Sequence, residues 1–329
     1  YLPFPATWTQ FTPKDKLGDF LEAYATLLDL SVWTSTDIEN VAQAEDGWTV
    51  EVTRADGTRR TLTPKHVVLA TGMNGAPKDP SFPGQDTFAG EVLHAARYDG
   101  YKRHEGKRVV VVGSGVSGHD IAQDLAEHGV DVTMVQRGGT AVLDGHTFHK
   151  VMHAVHTGGQ YTLAEGDLVN AAVPFGHLPA FGAAQLAQAA EMDKELLDGL
   201  KAAGFRLSDG PDGTGVLGLI FGANATGYYY NAGASDLIID GTIKLAHGGV
   251  TSFTENAVVL EGDNALEADV VIFATGYEPP TASARAILGD EIADKVGQFA
   301  DVADDREYGS LWRNCGIPGL WFMTSLSIE

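Results

Sequence analysis

The chain has 329 residues, with 22 Lys and Arg against 44 Asp and Glu, giving a formal net charge of −22 at pH 7. That excess of acid argues against nucleic acid or an anionic membrane as a partner. Cys315 is the only cysteine, which excludes an internal disulfide and a multi-thiolate metal site, and no apolar run approaches the roughly 18 to 20 residues of a membrane helix. With no signal peptide visible, a cytoplasmic location is expected.

In chain order, Pro13 to Leu28 predicts the first helix, with Leu17, Phe20, Leu21, Tyr24 and Leu28 at helical spacing. Trp48–Val52 and Thr61–Thr63 flank Ala55-Asp56-Gly57-Thr58, the pattern of a β-hairpin. His66–Leu69 reads as a buried strand leading into Ala70 and a Thr71-Gly72 turn.

The densest signal comes next. Val109–Val112 is apolar and β-branched throughout, which suits a parallel strand covered on both faces. Gly113-Ser114-Gly115-Val116-Ser117-Gly118 follows at once. In such a G-x-G-x-x-G turn the first glycine makes the strand-to-helix turn and the second lets a pyrophosphate approach the backbone. The third lets the helix pack close to the strand. Ile121, Ala122, Leu125 and Ala126 then form one apolar helical stripe, with Gly129 as a C-terminal stop. A glycine-rich turn without a ligand is the bland alternative, but the flanking strand and helix favour a dinucleotide on the helix N-terminus.

The next strand, Val132–Val135, ends in Gln136-Arg137, where NAD-binding folds usually carry an acid for the ribose 2′-hydroxyl. A carboxylate there would repel a 2′-phosphate and a guanidinium can grip it, so the pair points to NADP. Arg137 as a solvated surface charge is the alternative. Arg97, Lys102, Arg103 and Lys107 surround the same motif, although Lys102-Arg103-His104 reads equally well as a solvated loop.

Beyond residue 140 the pattern departs from a plain nucleotide fold. Ala183–Phe205 predicts alanine-rich helices, Gly210–Gly215 a turn, and Tyr228-Tyr229-Tyr230 an aromatic run that could face a substrate or pack the core. His146, His149, His153 and His156 share one helix face at three- and four-residue spacing, but nothing obvious completes a metal site. No metal is expected. Val270–Phe273, followed by Ala274-Thr275-Gly276, predicts a last buried strand and glycine turn.

Several stretches together resemble the flavin-containing monooxygenases, in particular the soluble YUCCA-like branch. These are Leu69-Ala70-Thr71-Gly72 with Pro77, Pro80 and Gly84, the F-x-G-x-x-x-H-x-x-x-Y motif of Phe88, Gly90, His94 and Tyr98, and Phe273-Ala274-Thr275-Gly276-Tyr277. Tyr1–Pro5 and Lys14–Leu17 add to the match, which is weakest between about 140 and 225. The related Baeyer–Villiger enzymes usually carry Trp where Tyr98 stands.

The resemblance implies an α/β fold of two Rossmann-like dinucleotide-binding domains, the NADPH domain inserted into a discontinuous FAD domain. On that basis residues 1–104 are expected to be part of the FAD domain, 105–269 the NADPH domain with a helical insertion at about 140–225, and 270–329 a return to the FAD domain. It implies that NADPH reduces FAD, and that a C4a-hydroperoxyflavin then transfers one oxygen atom from O2 to a small nitrogen, sulfur or 2-oxo acid substrate. A Baeyer–Villiger enzyme and a non-catalytic NADP-binding protein are the alternatives. Thr71, Gly72, Thr275 and Gly276 are implied near the flavin, and His94 as an organiser of the linker between domains, so no side chain is singled out as catalytic. No second G-x-G-x-x-G precedes Val109, so the chain is expected to be truncated at both ends. A homodimer is compatible with all of this.

Overall fold

The computed structural model describes residues 2–5, 7–9, 12–222, 227–296, 303–305, 307 and 309–323. The chain divides into two compact units, residues 1–66 and 67–329.

The first unit holds helix α1 (Lys14–Leu27) and an antiparallel meander of β1 (Thr36–Ala44), β2 (Gly47–Arg54) and β3 (Arg59–Leu62). The expected helix begins one residue after Pro13, whose fixed φ suits a helix start. It buries none of its residues, although Phe20 meets Phe4 and Trp8 at ring distances of 4.9 and 5.4 Å. Trp48, Val50 and Val52 alternate inward along β2. The hairpin forms where its turn residues predict, with Asp56 accepting a 2.9 Å bond from the Thr58 N–H.

The second unit contains, in chain order, β4 (Val67–Leu69), β5 (Glu91–His94), β6 (Arg108–Val112), α2 (Val116–Glu127), β7 (Asp131–Gln136), β8 (Ala141–Asp144) and α3 (Gly145–Met152). There follow α4 (Ala154–Thr157), α5 (Leu163–Ala171), α6 (Leu178–Met192), α7 (Lys194–Ala202), α8 (Gly215–Gly222), β9 (Tyr228–Asn231) and α9 (Ala234–Ile239). The chain continues through β10 (Lys244–His247), β11 (Val250–Phe253), β12 (Ala257–Leu260), β13 (Asn264–Glu267), β14 (Val270–Phe273), α10 (Pro280–Leu288), α11 (Asp290–Val296) and β15 (Leu320–Phe322).

Its centre is a five-stranded parallel sheet in the order β10-β7-β6-β14-β5. Alternation within the valine strand decides what lies on each face. Val109 and Val111 pack with α2, α9 and Leu200 of α7, whereas Val110 joins Phe253, Val258 and Leu260 of the β11-β12-β13 sheet. Both faces are covered, so Val109–Val112 of β6 and all of β14 carry apolar side chains. All four residues of β14 are buried, as are Ile121, Ala122, Leu125 and Ala126 of α2.

The five-stranded sheet draws β5 and β14 from either side of the 105–269 stretch, with β14 hydrogen-bonded to β6 on one edge and to β5 on the other. Val270–Phe273 is thus a strand of this central sheet. The strand at His66–Leu69 is less buried than its apolar run suggests. It is short, pairs among the described residues with β15 alone, and leaves Val68 47% exposed.

Candidate dinucleotide-binding site

At the end of β6 the three glycines of the turn have three different surroundings. Gly113 has a positive φ of 127°, and a β-carbon there would lie 2.4 Å from the Ala274 carbonyl oxygen. At Gly118 it would lie 2.1 Å from the Gly113 carbonyl oxygen, so this residue sets how closely α2 approaches the strand. Around Gly115 no atom beyond its own stretch of backbone lies within 4 Å of that position among the described residues. Two glycines answer to the protein's own packing, and the middle one faces open space suited to a ligand.

Gly115 is also the N-cap of α2, with no side chain capping it and no acid in the first turn. The N–H groups of the first turn and the positive end of the helix dipole are thus left for an anion. Val116 is 37% exposed at this turn, and Ser117 is half-buried beside it. Ser114 is tied down by Thr140: their hydroxyls are 2.8 Å apart, and Thr140 Oγ1 donates to the Ser114 carbonyl at 2.9 Å.

His119, one residue past the last glycine, is fully buried. Its Nδ1 lies 3.1 Å from the Gly115 carbonyl oxygen, and its ring stacks on Tyr229 at 3.9 Å. Tyr229 in turn accepts a 3.0 Å hydrogen bond from the Ala232 N–H, so the middle tyrosine of the aromatic run packs the core. Burial pushes the imidazole down to about 4, a neutral ring at physiological pH. Nothing in the sequence pattern singled out this residue.

At the end of β7, Gln136 and Arg137 part company. Gln136 is fully buried, and its amide is used inside the protein. Nε2 donates to the Arg206 carbonyl at 2.8 Å, and Oε1 accepts from the Arg206 N–H at 2.8 Å. The amide thus braces the strand end against the Arg206 backbone. Arg137 is exposed at the same strand end. Of the other cations near the motif, Arg97 pairs with Asp79 and Arg103 with Glu91.

The residues of the F-x-G-x-x-x-H-x-x-x-Y motif make packing and hydrogen-bond contacts with their neighbours. Phe88 packs edge-on against Phe253 at 5.3 Å, and a β-carbon at Gly90 would lie 2.5 Å from the Asp269 carbonyl oxygen. His94 Nδ1 accepts from the Ala96 N–H at 3.1 Å, which leaves Nε2–H to donate to the Gly276 carbonyl at 3.0 Å. Burial lowers its pKa, favouring this neutral tautomer. Tyr98 donates a 2.5 Å hydrogen bond to Asp124 on α2 and stacks on buried His104. The motif thus fastens the late glycine turn and the dinucleotide helix to one strand.

Thr275 belongs to that turn, its hydroxyl donating to the Lys78 carbonyl at 2.7 Å. Thr71 and Gly72 lie exposed beyond β4, and no hydrogen bond joins them to Thr275 or Gly276. Among the described residues, no group of three His, Cys, Asp or Glu side chains could hold a metal ion, and no helix is long and apolar enough to cross a membrane. His149 and His153 sit at a ring distance of 5.2 Å, and His156 bonds Asp167 at 3.0 Å.

Comparison with known proteins agrees with this geometry. A profile of the pyridine nucleotide-disulphide oxidoreductases matches residues 4–153, although a chain with one cysteine has no redox cysteine pair. The chain is 30% identical over 300 residues to the indole-3-pyruvate monooxygenase YUCCA1 of Oryza sativa subsp. japonica, covering 88% of this chain and 65% of that protein. It is 31% identical over 165 residues to dimethylaniline monooxygenase [N-oxide-forming] 2 of Macaca mulatta, 46% of this chain and 31% of the relative. The chain thus spans less than two thirds of these relatives' length.

In fold it is similar to a flavin-containing monooxygenase from Stenotrophomonas maltophilia, with a TM-score of 0.57 at 17% identity over all of this chain and 76% of that one. A cyclohexanone monooxygenase gives a TM-score of 0.58 at 20% identity over 86% of this chain and 62% of that one. Over most of its length the chain is thus similar to the flavin-containing monooxygenases.

Proposed function

We propose that this chain carries the NADPH-binding domain of an NADPH- and FAD-dependent monooxygenase, which places one oxygen atom of O2 on a small organic substrate. The domain is read as running from β5 to β14. The observation that carries the proposal is the contrast at the glycine turn, open at Gly115 and closed at Gly113 and Gly118, below an uncapped helix N-terminus. The pyrophosphate would sit on the first turn of α2, with Gly115 giving backbone access and Ser114 fixed by Thr140. Arg137 would meet the 2′-phosphate.

FAD would supply the oxygen-transfer chemistry when bound. This chain's Thr71, Gly72, Thr275 and Gly276 are the residues proposed to lie toward it. His94 and Tyr98 act at a distance, holding the Gly276 turn and α2 in register, and neither is a candidate to move a proton. The relatives named as indole-3-pyruvate monooxygenases favour a 2-oxo acid, while nitrogen and sulfur nucleophiles remain the other substrates to assay.

The test uses the full-length protein containing this chain. NADPH oxidation that depends on FAD and O2, with one oxygen atom incorporated into a 2-oxo acid or an amine, is expected. Flavin-independent oxidation, or no NADPH consumption with any of these substrates, would refute the proposal. Conversion of a cyclic ketone to its ester, in place of those products, would favour the Baeyer–Villiger alternative.

A further inference from the structure

The segment after α7 has no place in a minimal nucleotide-binding unit, yet it is bound tightly to the end of β7. Phe205 is buried beside His119, and Leu207 forms a parallel bridge with Thr140. The Thr140 N–H donates to the Arg206 carbonyl at 3.0 Å, and the Ser208 N–H returns a bond to the Thr140 carbonyl at 3.0 Å. Gly139 permits the approach, since a β-carbon there would lie 2.7 Å from the Leu207 carbonyl oxygen. Gln136 completes the clasp with its two bonds to the Arg206 backbone.

The side chain so placed is a guanidinium. Arg206 Nη1 donates to the Arg137 carbonyl at 3.2 Å, which puts a second positive group at the strand end where Arg137 stands. Both arginines are exposed. Arg97, Arg103, Arg108, Arg285 and Arg313 pair with carboxylates, whereas Arg137 and Arg206, like Arg54, Arg59 and Arg60, form no ion pair among the described residues. Glu261 is an acid close to this end. It lies across Gly249 from Arg137, where a β-carbon on Gly249 would be 3.2 Å from Glu261 Oε1 and 3.7 Å from Arg137 Cδ. The two arginines therefore stand at one strand end with no carboxylate within ion-pair distance among the described residues, a place where an anion could be shared.

We infer that Arg206 is the second cation of the 2′-phosphate subsite. On this reading the 140–225 insertion fixes coenzyme choice by delivering Arg206 to the end of β7, and Gln136 is the positioning residue that holds it there. The inference rests on the NADPH reading above and extends it. A phosphate dianion at the adenosine 2′ position has oxygens enough for two guanidinium groups, and two planar forks discriminate it from a hydroxyl better than one.

The test titrates the chain with adenosine 2′,5′-bisphosphate and with 5′-ADP, which differ in the 2′-phosphate. Arg206→Ala should weaken the bisphosphate by about tenfold to a hundredfold, the range for losing a charged hydrogen-bond partner, and leave 5′-ADP unchanged. Arg137→Ala should behave alike. Thermal unfolding should match the wild type for both, because Gln136 grips the Arg206 backbone and not its side chain. If Arg137→Ala weakens the bisphosphate and Arg206→Ala does not, the inference fails and the NADPH reading stands. If neither variant changes the ratio, both fail. Equal weakening of the two ligands by Arg206→Ala would assign the residue a structural role and also overturn the inference. Arg206→Gln, closer in shape, repeats the measurement should the alanine variant not fold.

Discussion

Gly118→Ala is expected to destabilise the protein, whereas Gly115→Ala should leave its stability untouched and weaken only the nucleotide. At Gly118 the new methyl would lie 2.1 Å from the Gly113 carbonyl oxygen, a backbone atom that cannot swing aside. Relief requires α2 to move off β6, and α2 contributes Ile121, Ala122, Leu125 and Ala126 to the core. Overpacking of this kind costs about 1–3 kcal/mol and lowers the melting temperature by several degrees. NADPH binding should fall with it, because the helix N-terminus is displaced. At Gly115 φ is −83° and nothing beyond its own stretch of backbone lies within 4 Å among the described residues, so alanine meets no strain in the free protein. Its methyl would enter the space read as the pyrophosphate path, weakening NADPH by about tenfold or more, or about 1.4 kcal/mol and upward. Melting curves and NADPH titrations of the two variants check the pair. Equal stability losses, or unchanged binding in Gly115→Ala, would contradict the site.

The second large effect concerns acid. His119 is neutral and buried between Tyr229 and Phe205, and its Nε2 has no partner. Protonation would put a charged N–H into that apolar stack, which is why the pKa falls from 6.5 to about 4 on folding. Between those values the unfolded chain binds a proton that the native state refuses, so stability rises with pH across the window. The contribution is complete above about pH 6.5 and is lost as pH falls toward 4. Its full size is on the order of 3 kcal/mol by linkage. His94 and His104 are shifted downward by burial too and add in the same direction. His119→Phe keeps a ring for the stack but removes the titration. Denaturant unfolding at pH 7.5 and 4.5 should therefore show a smaller acid loss in the variant than in the wild type. Equal losses would show that His119 does not titrate across folding.

These expectations show where the sequence was informative. The β6–turn–α2–β7 unit was readable to within a residue or two because its causes are local: an apolar β-branched strand, glycines at fixed offsets and one helical stripe. Sheet membership of β5 and β14 was not readable. Those strands come from 91–94 and 270–273, and nothing within either run states which neighbour it will bond. Gln136 illustrates the same limit at one residue. The missing acid after β7 was visible, but the inward turn of the amide depends on Arg206, 70 positions away. Arg206 itself lay in an alanine-rich insertion with no motif to mark it. The linker motif was recognised as a family pattern, yet the contacts of His94 with Gly276 and of Tyr98 with Asp124 emerged only from the structure.

The central claim is that the turn at Gly113–Gly118 and the cations after β7 bind NADPH in preference to NADH. Calorimetric titration of the 329-residue chain with each coenzyme measures it directly. Expected is one site per chain, with NADPH bound about tenfold or more tighter than NADH, and with the advantage lost in Arg137→Ala. Equal affinity for the two coenzymes, or tighter binding of NADH, would contradict it.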